Sequence, residues 1–194
     1  MTEFKPILAK APEQKEFKTL PAWQYPARCY WVIDEWTQTI SWKWEEKKAR
    51  KIRIMFEFPT EMEIFSEEKW EEPFSLSKEY TLSLSEQGNL RPMLESWRGK
   101  KFTDLELEWF DITKLIWVPA YIQVMQEERE GKTYTNINQI LWLPKGLEIP
   151  EQINPTKYFS CEEIDEEELL KLPNFIQEKI RKSDEYIASN WIFQ

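Results

Sequence analysis

Residues 51–58, Lys-Ile-Arg-Ile-Met-Phe-Glu-Phe, alternate without a break. Ile52, Ile54, Phe56 and Phe58 share one parity; Lys51, Arg53, Met55 and Glu57 share the other. A strand sends successive side chains to opposite faces, so this stretch predicts a β-strand with one face on a core. Pro59 ends it, since proline cannot donate to a ladder. Upstream, residues 27–44 (ARCYWVIDEWTQTISWKW) are rich in β-branched and aromatic side chains and predict a first strand. The run is too long for one straight strand, which predicts a bend or bulge near Asp34 and Glu35. Residues 45–50 (EEKKAR) read as a charged connection, and residues 60–73 as an acidic, irregular one.

Downstream, residues 77–85 alternate again, with Tyr80, Leu82 and Leu84 against Glu79, Thr81 and Ser83, and predict a third strand. The period then changes. Leu90, Leu94 and Trp97 fall on one helical face. Asn89 is expected to cap that helix, Pro92 to sit in its first turn and Gly99 to follow its end in the left-handed region. Thr103 and Glu106 have capping-box spacing and predict a second short helix towards Phe110. Residues 119–126 and 133–143 return to strand character, joined through EEREGK with Gly131 as a hairpin turn. Pro144, Pro150 and Pro155 then mark a linker. Residues 162–168 (EEIDEEE) hold six acids in seven. Residues 173–188 predict an amphipathic helix.

The expected organisation is an irregular leader over 1–26, one domain over 27–146 and an acidic C-terminal extension over 147–194 carrying a helix. Leu20, Trp23 and Tyr25 are placed to pack the leader on the body. The fold class is mainly β with helices. Five strands with a helix between the third and fourth is the element order of a five-stranded OB-type barrel.

Composition excludes several chemistries. The 194 residues contain no histidine, which removes the commonest general base and metal ligand. Only four glycines occur, and no phosphate-binding glycine loop is present. Cys29 and Cys161 fit no metal spacing and read as two buried thiols. No catalytic residue, metal site or cofactor is expected, and the chain reads as a non-enzyme. Carboxylate pairs such as Glu45–Glu46 and Glu71–Glu72 lie in charge-rich loops and make a poor case for a magnesium-dependent nuclease. No apolar h-region and no spanning run of roughly 20 apolar residues is visible, so a cytoplasmic location without membrane contact is expected.

Net charge is −9, unevenly spread. Residues 43–53 hold six basic side chains against two acids, whereas the C-terminal part is acidic. An OB barrel binds oligonucleotides on strands 2 and 3 and on the loops joining strands 1–2 and 4–5. Single-strand binding needs cations for the backbone and ring faces for the bases. The candidate nucleic-acid-binding residues are therefore Trp42, Lys43, Trp44, Lys47, Lys48, Arg50, Lys51 and Arg53. Arg129, Lys132 and Tyr134 join them from loop 4–5. Arg98 and Lys100 either extend a phosphate track or neutralise the last carbonyls of the preceding helix. Lys and Arg opposite an apolar strand face are also what any solvated strand presents, and one strand can bury both Trp42 and Trp44.

The stretch from Gly88 to Gly146, with YTLSLSEQ before it, resembles a family of small phage and prophage proteins. LRPMLESWRGKKFT is its most specific phrase. Thr37–Gln38 and the strand ending Phe56–Glu57–Phe58–Pro59 fit its front half. The resemblance covers about Pro26 to Gly146 and implies OB-type single-stranded DNA binding within a phage replication or recombination gene set, in the bacterial host cytoplasm. The family pattern places one glycine near Glu35–Trp36 and another near Ile116–Trp117; this chain has neither. The acidic tail loosely resembles the acidic, apolar-ended tails of bacterial single-strand binding proteins. That likeness implies partner contacts through Asp165, Glu166, Glu167, Trp191 and Phe193. Single-stranded DNA, replication or recombination proteins and a second copy of the chain are the expected partners. The alternative is a protein-interaction module that uses the barrel as a scaffold without binding DNA.

Overall fold

The computed structural model describes residues 18–42, 45–65, 70–160 and 165–192. Its strands are β1 (Gln24–Trp42), β2 (Glu45–Glu63), β3 (Glu72–Thr81), β4 (Pro119–Arg129), β5 (Lys132–Leu141) and β6 (Lys157–Phe159). Its α-helices are α1 (Leu90–Arg98), α2 (Asp104–Glu108), α3 (Glu166–Leu170), α4 (Asn174–Arg181) and α5 (Asp184–Ile192). Five strands form one antiparallel sheet in the order β3-β2-β1-β4-β5, and β6 adds to β1 in parallel. The protein is thus mainly β, with helices between β3 and β4 and after the sheet. No described helix is long and apolar enough to cross a membrane.

The expected apolar face of β2 is the core: Ile52, Ile54, Phe56 and Phe58 are all essentially inaccessible. Each such side chain contributes about 1.5–3 kcal/mol by leaving water. α1 closes this core with Leu90, Leu94 and Trp97, the last set against Phe56 and donating from Nε1 to Pro119 O at 2.8 Å. Gly99 takes the left-handed conformation that ends α1. Thr103 and Glu106 form the expected capping box. Asn89 occupies the N-cap position but makes no side-chain cap hydrogen bond, in contrast to the sequence expectation.

Strand lengths differ from the sequence reading. EEKKAR is not a loop; it belongs to β2 and pairs with β1 from Thr37↔Arg50 to Trp42↔Glu45. Residues 60–63 extend β2 at its other end, and β3 starts at Glu72 and ends at Thr81 rather than running over 77–85. The β4–β5 hairpin turns on Glu130 and Gly131, both at positive φ, with Arg129 paired to Lys132. That geometry suits the right-handed twist of the flanking strands.

β1 bends as expected. Its register with β2 slips between Asp34 and Trp36, and again between Cys29 and Trp31. β4 pairs only with Gln24–Arg28. Beyond the bend β6 takes the edge that β4 has left, from Trp31↔Lys157 to Ile33↔Phe159. Each of the two pairs near which the resemblance implies a glycine holds one left-handed residue: Trp36 has φ 61° and Trp117 φ 69°. At the far edges, Lys78 of β3 reaches across to β5 and donates to Ile137 O (2.9 Å) and Asn138 O (3.3 Å).

A second apolar cluster lies on the outer side of β1. Tyr30, Trp31, Ile33 and Trp36 pack there with Phe159, Leu169, Leu172, Ile176, Ile180 and Tyr186. The single helix expected over 173–188 is two helices, α4 and α5, separated at Lys182–Ser183. Ser183 is buried; its hydroxyl donates to Ile180 O and accepts from Tyr186 N, which ends one helix and starts the next. Of the leader, Leu20 and Tyr25 are buried, whereas Trp23 is exposed. Cys29 is a buried free thiol whose pKa burial pushes up; Cys161 lies outside the described residues.

Candidate nucleic-acid interface

The sequence reading turns the odd-numbered face of β2 towards a ligand. The structure covers it. Arg53 is only 12% exposed and donates to Glu35 Oε1 at 2.5 Å, while its other nitrogens reach Ser77 and Glu79. The ring of Phe175 on α4 lies 5.2 Å from its guanidinium carbon. Lys179, also on α4, pairs with Glu35 at 3.0 Å and with Glu79. Burial lowers the Lys179 pKa against the pull of Glu35. Lys51 donates to Thr81 Oγ1 at 2.9 Å and sits 3.8 Å from Glu79. Further along the face, the buried carboxylate of Glu57 accepts the N–H groups of Ile153 (2.8 Å) and Asn154 (2.7 Å). Lys51 and Arg53 are therefore placed as expected in sequence but are engaged by the chain's own acids and by α4.

The remaining strand 1–2 candidates lie on the paired ribbon beyond the core. Lys47 is exposed beside Glu45 at 3.8 Å. Lys48 is exposed and pairs with Asp184 of α5 at 2.7 Å, which raises its pKa. Arg50 is half exposed and pairs with Asp34. The backbone of Trp42 closes the ribbon opposite Glu45; its side chain, Lys43 and Trp44 lie outside the described residues. α5 also meets the ribbon through Glu185, which accepts from Thr37 N (2.9 Å) and Thr37 Oγ1 (2.6 Å). Burial pushes the Glu185 pKa up, but these two hydrogen bonds bring it below the ordinary range. Solvent and salt screen exposed pairs of this kind, so these carboxylates hold Lys47 and Lys48 only weakly.

On the β4–β5 hairpin, Arg129 is exposed and pairs with Glu127 at 2.7 Å. Lys132 and Tyr134 are exposed. Arg98 is engaged by side chains of the chain itself: its guanidinium pairs with Glu106 and stacks over Phe102 (4.2 Å) and Phe110 (5.4 Å). Lys100 is exposed, 3.6 Å from Glu106.

The tail candidates are divided. Asp165 caps α3 by accepting from Glu167 N and Glu168 N. Glu166 accepts from Tyr186 Oη (2.6 Å) and pairs with Arg181 (3.1 Å). Glu167 is exposed. The backbone of Trp191 belongs to α5; its side chain and Phe193 lie outside the described residues. The sequence reading missed Lys78 and the exposed rings of Trp142 and Trp117. Lys78 carries no local signal, since its partners are backbone carbonyls far away in sequence.

Compared with known families and curated proteins, the chain matches no family model and no curated protein.

Proposed function

We propose that this chain is a single-stranded DNA-binding protein of the phage type, built on an OB barrel and acting stoichiometrically in replication or recombination. The strand order, with helices between β3 and β4, follows the OB connectivity. The Lys78 clasp between β3 and β5 supports closure of that sheet into a barrel. The left-handed Trp36 and Trp117 support the family resemblance, because they belong to the two pairs near which its pattern has glycine. Fold alone does not give function, so the reading rests on one feature of the surface. This is the β1–β2 ribbon, which carries Lys47, Lys48 and Arg50 beyond the core. Cations on a projecting ribbon meet a phosphate backbone without the β2 face having to open.

The second reading is a protein-interaction module. The covering of β2 by α4 favours it. One titration separates the two. Oligo-dT quenches the tryptophan fluorescence of a DNA-binding protein at low salt and binds more weakly as salt rises. Unchanged fluorescence and anisotropy at low salt would leave the interaction module as the better account.

A further inference from the structure

Away from the ribbon, the end of α1, the 3-10 turn Ile112–Leu115 and the residue after β5 enclose a cleft of about 230 Å³. Trp97, Phe110 and Trp142 supply its rings, and Arg98, Lys100 and Lys114 its cations. Trp142 is 61% exposed yet fixed in place. Its N–H donates to Ser96 O at 3.1 Å, and its ring lies against Gly99, where an added Cβ would sit 3.5 Å away. Lys100 and Lys114 are exposed. Arg98 is held by Glu106 and by the rings of Phe102 and Phe110, which leaves Lys100 and Lys114 as the cations the cleft exposes.

Every polar side-chain group lining the cleft is a donor. Its ligand must therefore bring acceptors together with planar apolar surface. A nucleobase with a carbonyl oxygen, attached to phosphates, brings both. An acidic peptide brings acceptors, but its own backbone donors would meet no acceptor side chain there. We infer that the cleft is a second subsite for the single strand. One base stacks on the exposed ring of Trp142, and the neighbouring phosphates lie on Lys100 and Lys114. This rests on the single-strand reading and adds a site beside the end of α1, where Trp97 and Leu115 of the core form part of the wall.

The test is an anisotropy titration of labelled oligo-dT with the full chain at several salt concentrations. Trp142→Ala weakens binding about tenfold, within the range of one lost base stack, and Trp142→Phe restores most of it. Lys100→Ala with Lys114→Ala lowers the salt slope by about 1.4, because each phosphate neutralised on a single strand contributes about 0.7. Circular dichroism checks the fold of each variant, and the lysine pair carries the test if Trp142→Ala does not fold. Wild-type affinity in these variants, alongside weakened binding by Lys47→Ala with Lys48→Ala, overturns the subsite and leaves the single-strand reading standing. Absence of binding by the wild type overturns both. A poly-glutamate peptide bound in a Trp142-dependent way, without competition from oligo-dT, also overturns the subsite.

Discussion

Trp36 and Trp117 hold a backbone conformation that costs an L-residue roughly 1–2 kcal/mol. Their surroundings decide what that strain is worth. Trp36 is 2% exposed within the cluster under α4 and α5, so burial of the ring outweighs the strain. Trp117 is 62% exposed, and its ring makes one hydrogen bond, to Thr156. In urea unfolding, Trp117→Gly is expected to change stability by no more than about 1 kcal/mol, relief of strain offsetting the flexibility of glycine. Trp36→Gly is expected to lose about 3 kcal/mol or more, as large-to-small changes in a packed site do. Glu106 gives the residue scale a second test. The hydrogen bond from Thr103 N and then, against desolvation, the Arg98 guanidinium hold its pKa down to about 2. Because the folded value lies below the ordinary one of 4.5, the contribution is complete above that value and is lost as pH falls through about 2. Glu106→Gln should therefore flatten the acid side of the stability profile in that window, as read by unfolding at pH 2 to 5.

At the scale of elements, α4 is packed through Ile176 and Ile180, both without solvent exposure. Ile180→Ala should cost about 2–5 kcal/mol, and a single urea transition would show that the C-terminal helices unfold with the sheet. Lys179→Ala should add a separate loss, because Glu35 at 0% exposure then keeps, among the described residues, Arg53 alone as its ionic partner. These elements also show where the sequence was readable. Ile52 to Phe58 alternate because one face meets a core, and the core face of α1 is visible for the same reason. EEKKAR has no such signal: its side chains are exposed apart from the partly buried Ala49, and strands of that kind carry no apolar period. The covering of β2 was equally hidden. Lys51 and Arg53 look like a solvated face, and only the tertiary placement of Glu35, Glu79 and Phe175 shows them engaged. The division between α4 and α5 turns on one serine hydroxyl inside an otherwise helical pattern. At the cleft, the sequence reading picked Arg98 and Lys100 but missed Trp142, since its contacts with Ser96 and Gly99 join positions far apart in sequence.

For the whole molecule, a net charge of −9 requires that any bound polyanion meet a local field of opposite sign. Among the described residues, Lys51 and Arg53 differ from Lys47 and Lys48. Arg53 lies beneath Phe175 of α4, and Lys51 and Arg53 are already matched by Glu35 and Glu79. Lys47 and Lys48 are exposed, and their acid partners Glu45 and Asp184 are themselves open to solvent. Exchange of a surface carboxylate for a phosphate leaves the ionic count unchanged and releases counterions from the strand, which drives binding at low salt. Lys47→Ala with Lys48→Ala should therefore weaken oligo-dT binding and lower its salt slope by about 1.4, twice the single-strand value per phosphate. Lys51→Ala should leave affinity and slope unchanged, and its effect should be confined to stability. If Lys51→Ala instead lowers the slope as the ribbon pair does, the strand must reach the β2 face. The C-terminal helices would then have to leave that face on binding, which hydrogen exchange of the α4 amides with and without oligo-dT would detect as lost protection.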